Sequence, residues 1–272
     1  SASLASQLLG VPDNLLTQGA VILIMTAVFG TSAYRGLKRG IKVLADLNLW
    51  LMYFVMAFVV LLGPTIYIFS MSMNSVGLML DNFFRISFWT DPVSKSGFPE
   101  AWTVFYWAWW LAYAPMMGLF FGRISKGRTI RQVVLGIIGF GALGTFLFLG
   151  IAGAYVLHLQ SHGLLDAVSI INEQGMGPLV AQVIAELPFK WLILGVVAVL
   201  SIVFYATTFD SAAYVLASIC TYGLAPNREP APGVRLIWAL GLGVTAVGLM
   251  MVDAMDTVKS MSVVSSLPVI PI

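Results

Sequence analysis

Charge is scarce in this 272-residue chain. Only 10% of its residues are Asp, Glu, Lys or Arg, against about 25% in a soluble globular domain. So little charge excludes an ordinary soluble fold, and it also excludes a disordered or nucleic-acid-binding chain. One cysteine, Cys220, excludes an internal disulfide framework and reads as a small buried apolar residue. Two histidines, His158 and His162, are too few for a histidine-based metal centre. They lie one helical turn apart in a polar stretch without a carboxylate-rich partner set, and read as solvated loop residues. GxxxxGK[ST], HExxH, CxxC and GxSxG are all missing, so no familiar nucleotide, zinc, redox or esterase motif is present. The chain is not read as an enzyme.

What remains is apolar. Hydrophobic residues make up 59%, and the mean hydropathy is +0.93. Long uncharged runs at this density describe an all-α polytopic membrane protein. We read spans at 19–34, 43–69, 102–122, 133–157, 191–222 and 236–252, and a truncated seventh at 260–272. Gly63-Pro64 interrupts the second near its end. Stretch 75–89 places Val76, Leu80, Phe83 and Phe84 at helical spacing beside Asp81, Asn82 and Arg85, which predicts an interfacial amphipathic helix. The chain begins at Ser and stops within an apolar run, so 1–272 is expected to be one transmembrane domain within a longer protein.

Basic residues cluster at 35–42, at 123–131 and in 226–235. If the spans alternate, ten of the fourteen Lys and Arg residues fall on one side, which is expected to be cytoplasmic. The expected location is the cell inner membrane, as a multi-pass protein in the lipid bilayer.

The third span is peculiar. Residues 105–115 read FYWAWWLAYAP, and the span holds four of the eight tryptophans. On a helix, Trp102, Phe105 and Trp109 share one stripe, with Tyr106, Trp110 and Tyr113 on the next. Interfacial anchoring explains Trp102 at the span's end. It explains Trp109, Trp110 and Tyr113 poorly, because they lie two to three turns in. The readings left are core packing and a cation–π cage, in which several electron-rich faces surround a quaternary ammonium. In the fifth span, FYATTFDS (204–211) places Thr207 and Thr208 side by side. These hydroxyls either bond their own helix or, with carbonyls at a helix break, offer hard oxygen ligands suited to Na⁺. Asp210 is an acid inside the membrane, which is functional by default; a structural pairing role is favoured here.

FYWAWW followed by RISKGRTIR (123–131), with RGLKRGIKVLADLN (35–48) upstream, closely resembles the betaine/choline/carnitine transporter (BCCT) family. The likeness extends from about Gly30 onward. It implies a twelve-span protein with inverted five-helix repeats, the LeuT-like fold, of which this chain is an internal fragment. It also implies a secondary active transporter that takes up a quaternary-ammonium or sulfonium compatible solute of the glycine betaine or choline type. Substrate-binding residues would be Trp109, Trp110 and Tyr113, with Phe105 and Trp107 beside them. The family often has Trp where Tyr113 stands. Na⁺ would be held by Thr207, Thr208 and the Phe204 carbonyl, as a coupling ion and not a cofactor. A cation-independent exchanger of the carnitine/butyrobetaine type and an H⁺-coupled choline importer are the alternatives. The resemblance further implies a homotrimer.

Overall fold

A computed structural model describes residues 2–12, 14–224, 228–251 and 255–269, without the side chains of residues 38, 255 and 256. Parts of several expectations therefore lie outside the described residues: the end of the 236–252 span, the last three residues of 260–272, positions 226–227 of the third basic loop, and the side chain of Lys38.

Every described element is helical. The helices are α1 (Ala2–Leu9), α2 (Leu15–Arg35), a π-helical turn (Leu37–Ile41), α3 (Lys42–Leu62), α4 (Thr65–Asp81) and α5 (Phe83–Ser87). A second π turn (Pro99–Val104) leads into α6 (Phe105–Ile124). Then follow α7 (Ile130–Ser161), α8 (Ala167–Glu173), α9 (Met176–Ala185), α10 (Lys190–Ile219), α11 (Pro232–Met251) and α12 (Met255–Ser266), with a short 3₁₀ turn at Leu267–Val269. Among the described residues, six stretches are long and apolar enough to cross a membrane: Leu15–Arg35, Arg39–Leu62, Pro99–Ile124, Ile130–Ser161, Lys190–Ile219 and Pro232–Met251. At about 1.5 Å per residue, α7 and α10 reach roughly 45 Å or more, beyond the ~30 Å hydrocarbon core.

The boundaries have local causes. Asn14 caps α2, its side-chain oxygen accepting from the Thr17 N–H at 3.0 Å. Gly36, at φ +87°, ends α2 in a conformation that L side chains rarely adopt. Thr129 and Gln132 form a reciprocal capping box at the start of α7. At 43–69 the structure has two helices. Pro64 cannot donate to the carbonyl four residues back, on Val60. The Thr65 hydroxyl fills that carbonyl instead, at 2.6 Å.

Two other regions differ from the sequence reading. Stretch 75–89 is divided, because α4 ends at Asp81 and α5 occupies Phe83–Ser87; Phe83, Phe84 and Leu80 are exposed. Cys220 is exposed at the end of α10 and not buried, because α10 stops there and the chain turns away.

Packing groups the chain into two compact units, 1–77 with 128–243, and 78–127 with 244–272. In the first, α10 packs against α2 and α3, and α7 against α3. One core there gathers Val55, Val59, Ile68, Tyr155, Leu159 and Leu179. A second gathers Phe29, Ala33, Ala206, Ala213 and Ala239, where four alanines at 0% exposure let backbones approach closely. In the second unit, α12 packs against α6.

Candidate functional site

The aromatic residues of α6 form a ladder along one side of the helix. Phe105 and Trp109 are stacked, with ring centroids 6.3 Å apart and an interplanar angle of 6°. Trp109 meets Trp110 at 5.8 Å and Tyr113 at 6.3 Å, and Trp110 meets Tyr113 edge-on at 6.5 Å. Trp102 and Tyr106 extend the ladder toward the helix start. Trp107 does not share it: at about 100° per residue it points some 200° away from Phe105. Its ring is exposed and makes none of these contacts. Trp109 and Trp110 are 42% and 59% exposed. Their faces are therefore not consumed by packing within the helix. A ladder on one helix is one wall. It presents several π faces to a single side, which suits a cation without hydrogen-bond donors.

Pro115 lies inside α6. It withholds the N–H that the Leu111 carbonyl would otherwise receive, which favours a bend two residues beyond Tyr113.

The threonine pair sits on an unbroken helix, not at a helix break, since α10 runs continuously from Lys190 to Ile219. The hydroxyls of Thr207 and Thr208 both donate to the Phe204 carbonyl, at 2.7 and 3.4 Å. Three oxygens thus lie together on one face. Each hydroxyl keeps its lone pairs, while the Phe204 carbonyl already accepts two hydrogen bonds.

Two polar networks lie elsewhere in the same unit. Asp210 is 0% exposed. The Ser32 hydroxyl of α2 donates to its Oδ2 at 2.5 Å. Ser211 lies 3.4 Å from Oδ1 but donates more closely to the Thr207 carbonyl, at 2.8 Å. Asp210 therefore pairs α10 with α2 through one strong hydrogen bond. At the end of α2, the Glu229 carboxylate accepts from the Leu37 N–H at 3.3 Å and from the Arg235 guanidinium at 2.5 Å. Arg235 also donates to the Tyr34 carbonyl at 3.1 Å. Neither network is visible in the sequence, since Ser32 and Asp210 are 178 positions apart. The single acid in an apolar run was the only signal.

His158 and His162 are not loop residues, because α7 continues through His158 and His162 caps its end; their rings are tilted with centroids 4.0 Å apart, and Tyr67 meets both edge-on. Among the described residues no group of three or more His, Cys, Asp or Glu is placed to hold a metal.

Among the described residues, six helices long and apolar enough to cross a membrane, one of them carrying an exposed aromatic ladder, define an all-α polytopic membrane protein. Comparison with known proteins carries this further. The family model described as "BCCT, betaine/carnitine/choline family transporter" matches residues 2–272. The chain belongs to this family. It is 33% identical to a carnitine transporter of Acinetobacter baumannii, over 99% of this chain and 49% of that protein. It is 30% identical to the glycine betaine transporter OpuD of Bacillus subtilis, over 96% of this chain and 50% of that protein. It is 32% identical to glycine betaine transporter 2 of Vibrio parahaemolyticus, over 97% of this chain and 48% of that protein. The chain spans about half the length of these relatives.

Proposed function

We propose that the protein containing this chain is a secondary active transporter taking up a quaternary-ammonium or sulfonium solute of the glycine betaine or choline type. The observation that carries this reading is the α6 ladder: Phe105, Trp109, Trp110 and Tyr113 turn their rings to one side of one helix. A methylated ammonium offers no N–H, so hydrogen bonds cannot hold it. π faces can, each contributing about 0.5–2 kcal/mol, with the upper end when water is excluded. Tyr113 adds a hydroxyl that could meet a substrate carboxylate.

Coupling to Na⁺ is part of the proposal, with Thr207, Thr208 and the Phe204 carbonyl as its ligands. Support comes from their three oxygens on one face of α10. In this reading the basic segments 35–42, 123–131 and 226–235 face the cytoplasm, the protein sits in the cell inner membrane, and it assembles as a homotrimer. Uptake of labelled glycine betaine, choline and carnitine by cells expressing the full-length protein, with and without Na⁺, tests it. Uptake that is equal in both media removes the coupling. Uptake of none of the three removes the substrate class.

One observation favours a second reading, cation-independent exchange. The Phe204 carbonyl already accepts two hydroxyl hydrogen bonds, and the helix is unbroken there. Counterflow in proteoliposomes without any cation gradient discriminates the two.

A further inference from the structure

α2, the π turn and α3 line an open groove of about 420 Å³, within the ~300–1,000 Å³ typical of ligand sites. Its chemistry changes along its length. At the mouth stand Arg35 and Arg39. One turn further in come Thr31 and Val43, and deeper still Ala27, Val28 and Leu44. From Arg35 to Ala27 the groove descends about 12 Å along α2 at 1.5 Å per residue.

The two guanidiniums are exposed and have no acidic partner among the described residues. The contrast with the same corner of the fold is informative, because Arg235 there is buried and paired with Glu229. Two polar groups of the groove are already engaged. Ser32 gives its hydrogen to Asp210. Gly40 lies so close beneath Ser32 that a Cβ would run into the Ser32 carbonyl, which holds the π turn, and with it Arg39, against α2. Two positive charges exclude a quaternary ammonium from the mouth. An apolar floor leaves most of the groove unfilled by a small anion.

We propose that this groove binds an anionic phospholipid, its phosphate held by the forks of Arg35 and Arg39 and one acyl chain lying along Ala27, Val28, Val43 and Leu44. A guanidinium fork matches phosphate geometry, and basic residues flanking a span are drawn to anionic lipid. The inference rests on the chain crossing a bilayer and not on the substrate proposed above.

The test uses the full-length transporter in phosphatidylcholine nanodiscs carrying a small fraction of phosphatidylglycerol with a photoactivatable acyl chain. Crosslinks are mapped by peptide mass spectrometry. Labelling is expected within 27–44, competed by unlabelled phosphatidylglycerol and not by phosphatidylcholine or glycerol 3-phosphate. Near an anionic surface each basic side chain is worth about fivefold, so R35Q/R39Q should weaken competition at this segment by roughly thirtyfold. Labelling of lipid-exposed α7 in the same sample reports that the variant is folded. Val43→Trp, which fills the groove and keeps both arginines, should also abolish labelling of 27–44. Equal labelling by a phosphatidylcholine probe, unchanged labelling in R35Q/R39Q, or competition by glycerol 3-phosphate as strong as by the lipid would each overturn the proposal.

Discussion

Glu229→Gln should destabilise the protein more than Arg235→Met does, although the two side chains form one ion pair. The reason is unequal burial. The side chain of Arg235 is 4% exposed and that of Glu229 is 37% exposed. Removing the carboxylate charge leaves a buried guanidinium facing only neutral acceptors, the new amide oxygen and the Tyr34 carbonyl, with almost no water to offset its charge. It also weakens the acceptor of the Leu37 N–H that opens the π turn. Breaking a fully buried pair costs about 3–5 kcal/mol. Discounting for the exposed half of this one gives about 2–3 kcal/mol. Removing Arg235 instead leaves a carboxylate that water can reach and that still caps Leu37, at about 1 kcal/mol. On a domain of this size the Glu229 variant should lose roughly 5–10 °C in Tm. Changing both residues should recover part of that loss. Differential scanning fluorimetry of the purified full-length protein reads all three variants. Equal losses, or a Glu229→Gln variant within about 1 °C of the parent, would refute the view that this pair ties α2 to the start of α11.

Three further outcomes follow from the packing. Trp110→Leu should raise the Kd for betaine or choline by about twofold to thirtyfold, one π face's worth. It should leave Tm unchanged, because Trp110 is exposed on its helix; isothermal titration calorimetry and fluorimetry separate the two effects. Asp210→Asn should be nearly neutral in Tm, since the amide oxygen can still accept from Ser32. Asp210→Ala should cost about 2 kcal/mol by leaving that hydroxyl unpaired in a buried site. Gly40→Ala should cost about 1–3 kcal/mol by wedging the π turn away from the Ser32 carbonyl. Hydrogen exchange at 37–41 would then speed up.

Much of this fold is legible because bilayer physics is strict. Length, apolarity and basic flanks place six spans whatever packs against them, and Gly63-Pro64 announces its own break. The α6 ladder is legible for a related reason. Its rings are neighbours on one helix, so spacing alone sets their side, and the same arithmetic sends Trp107 away. Contacts between distant segments are not legible. Nothing in the sequence joins Ser32 to Asp210, or Tyr34 to Glu229 and Arg235. The π turn at Leu37–Ile41 is hidden too, because it packs Gly40 against the Ser32 carbonyl, a contact that spacing alone does not reveal. The two histidines read as loop residues, yet α7 runs through His158 and α8 and α9 follow. Asp166 caps α8, its side chain accepting from the Ser169 N–H and hydroxyl, and these bonds hold its carboxyl below the usual carboxylate range. Unbroken helix at Thr207 and Thr208 was equally hidden, because a hydroxyl pair reads alike at a break and within a helix.

In the proposed function the α6 ladder recognises positive charge rather than bulk. Competition by choline and by 3,3-dimethylbutanol, which carries carbon where choline carries nitrogen, tests it most directly. Both have the same shape, and only one is a cation. Against labelled substrate bound to the full-length transporter, the neutral compound should compete at least about tenfold more weakly. That gap should shrink in Trp109→Leu and Trp110→Leu. Equal competition by the two compounds, or a gap left whole in both variants, would contradict the account.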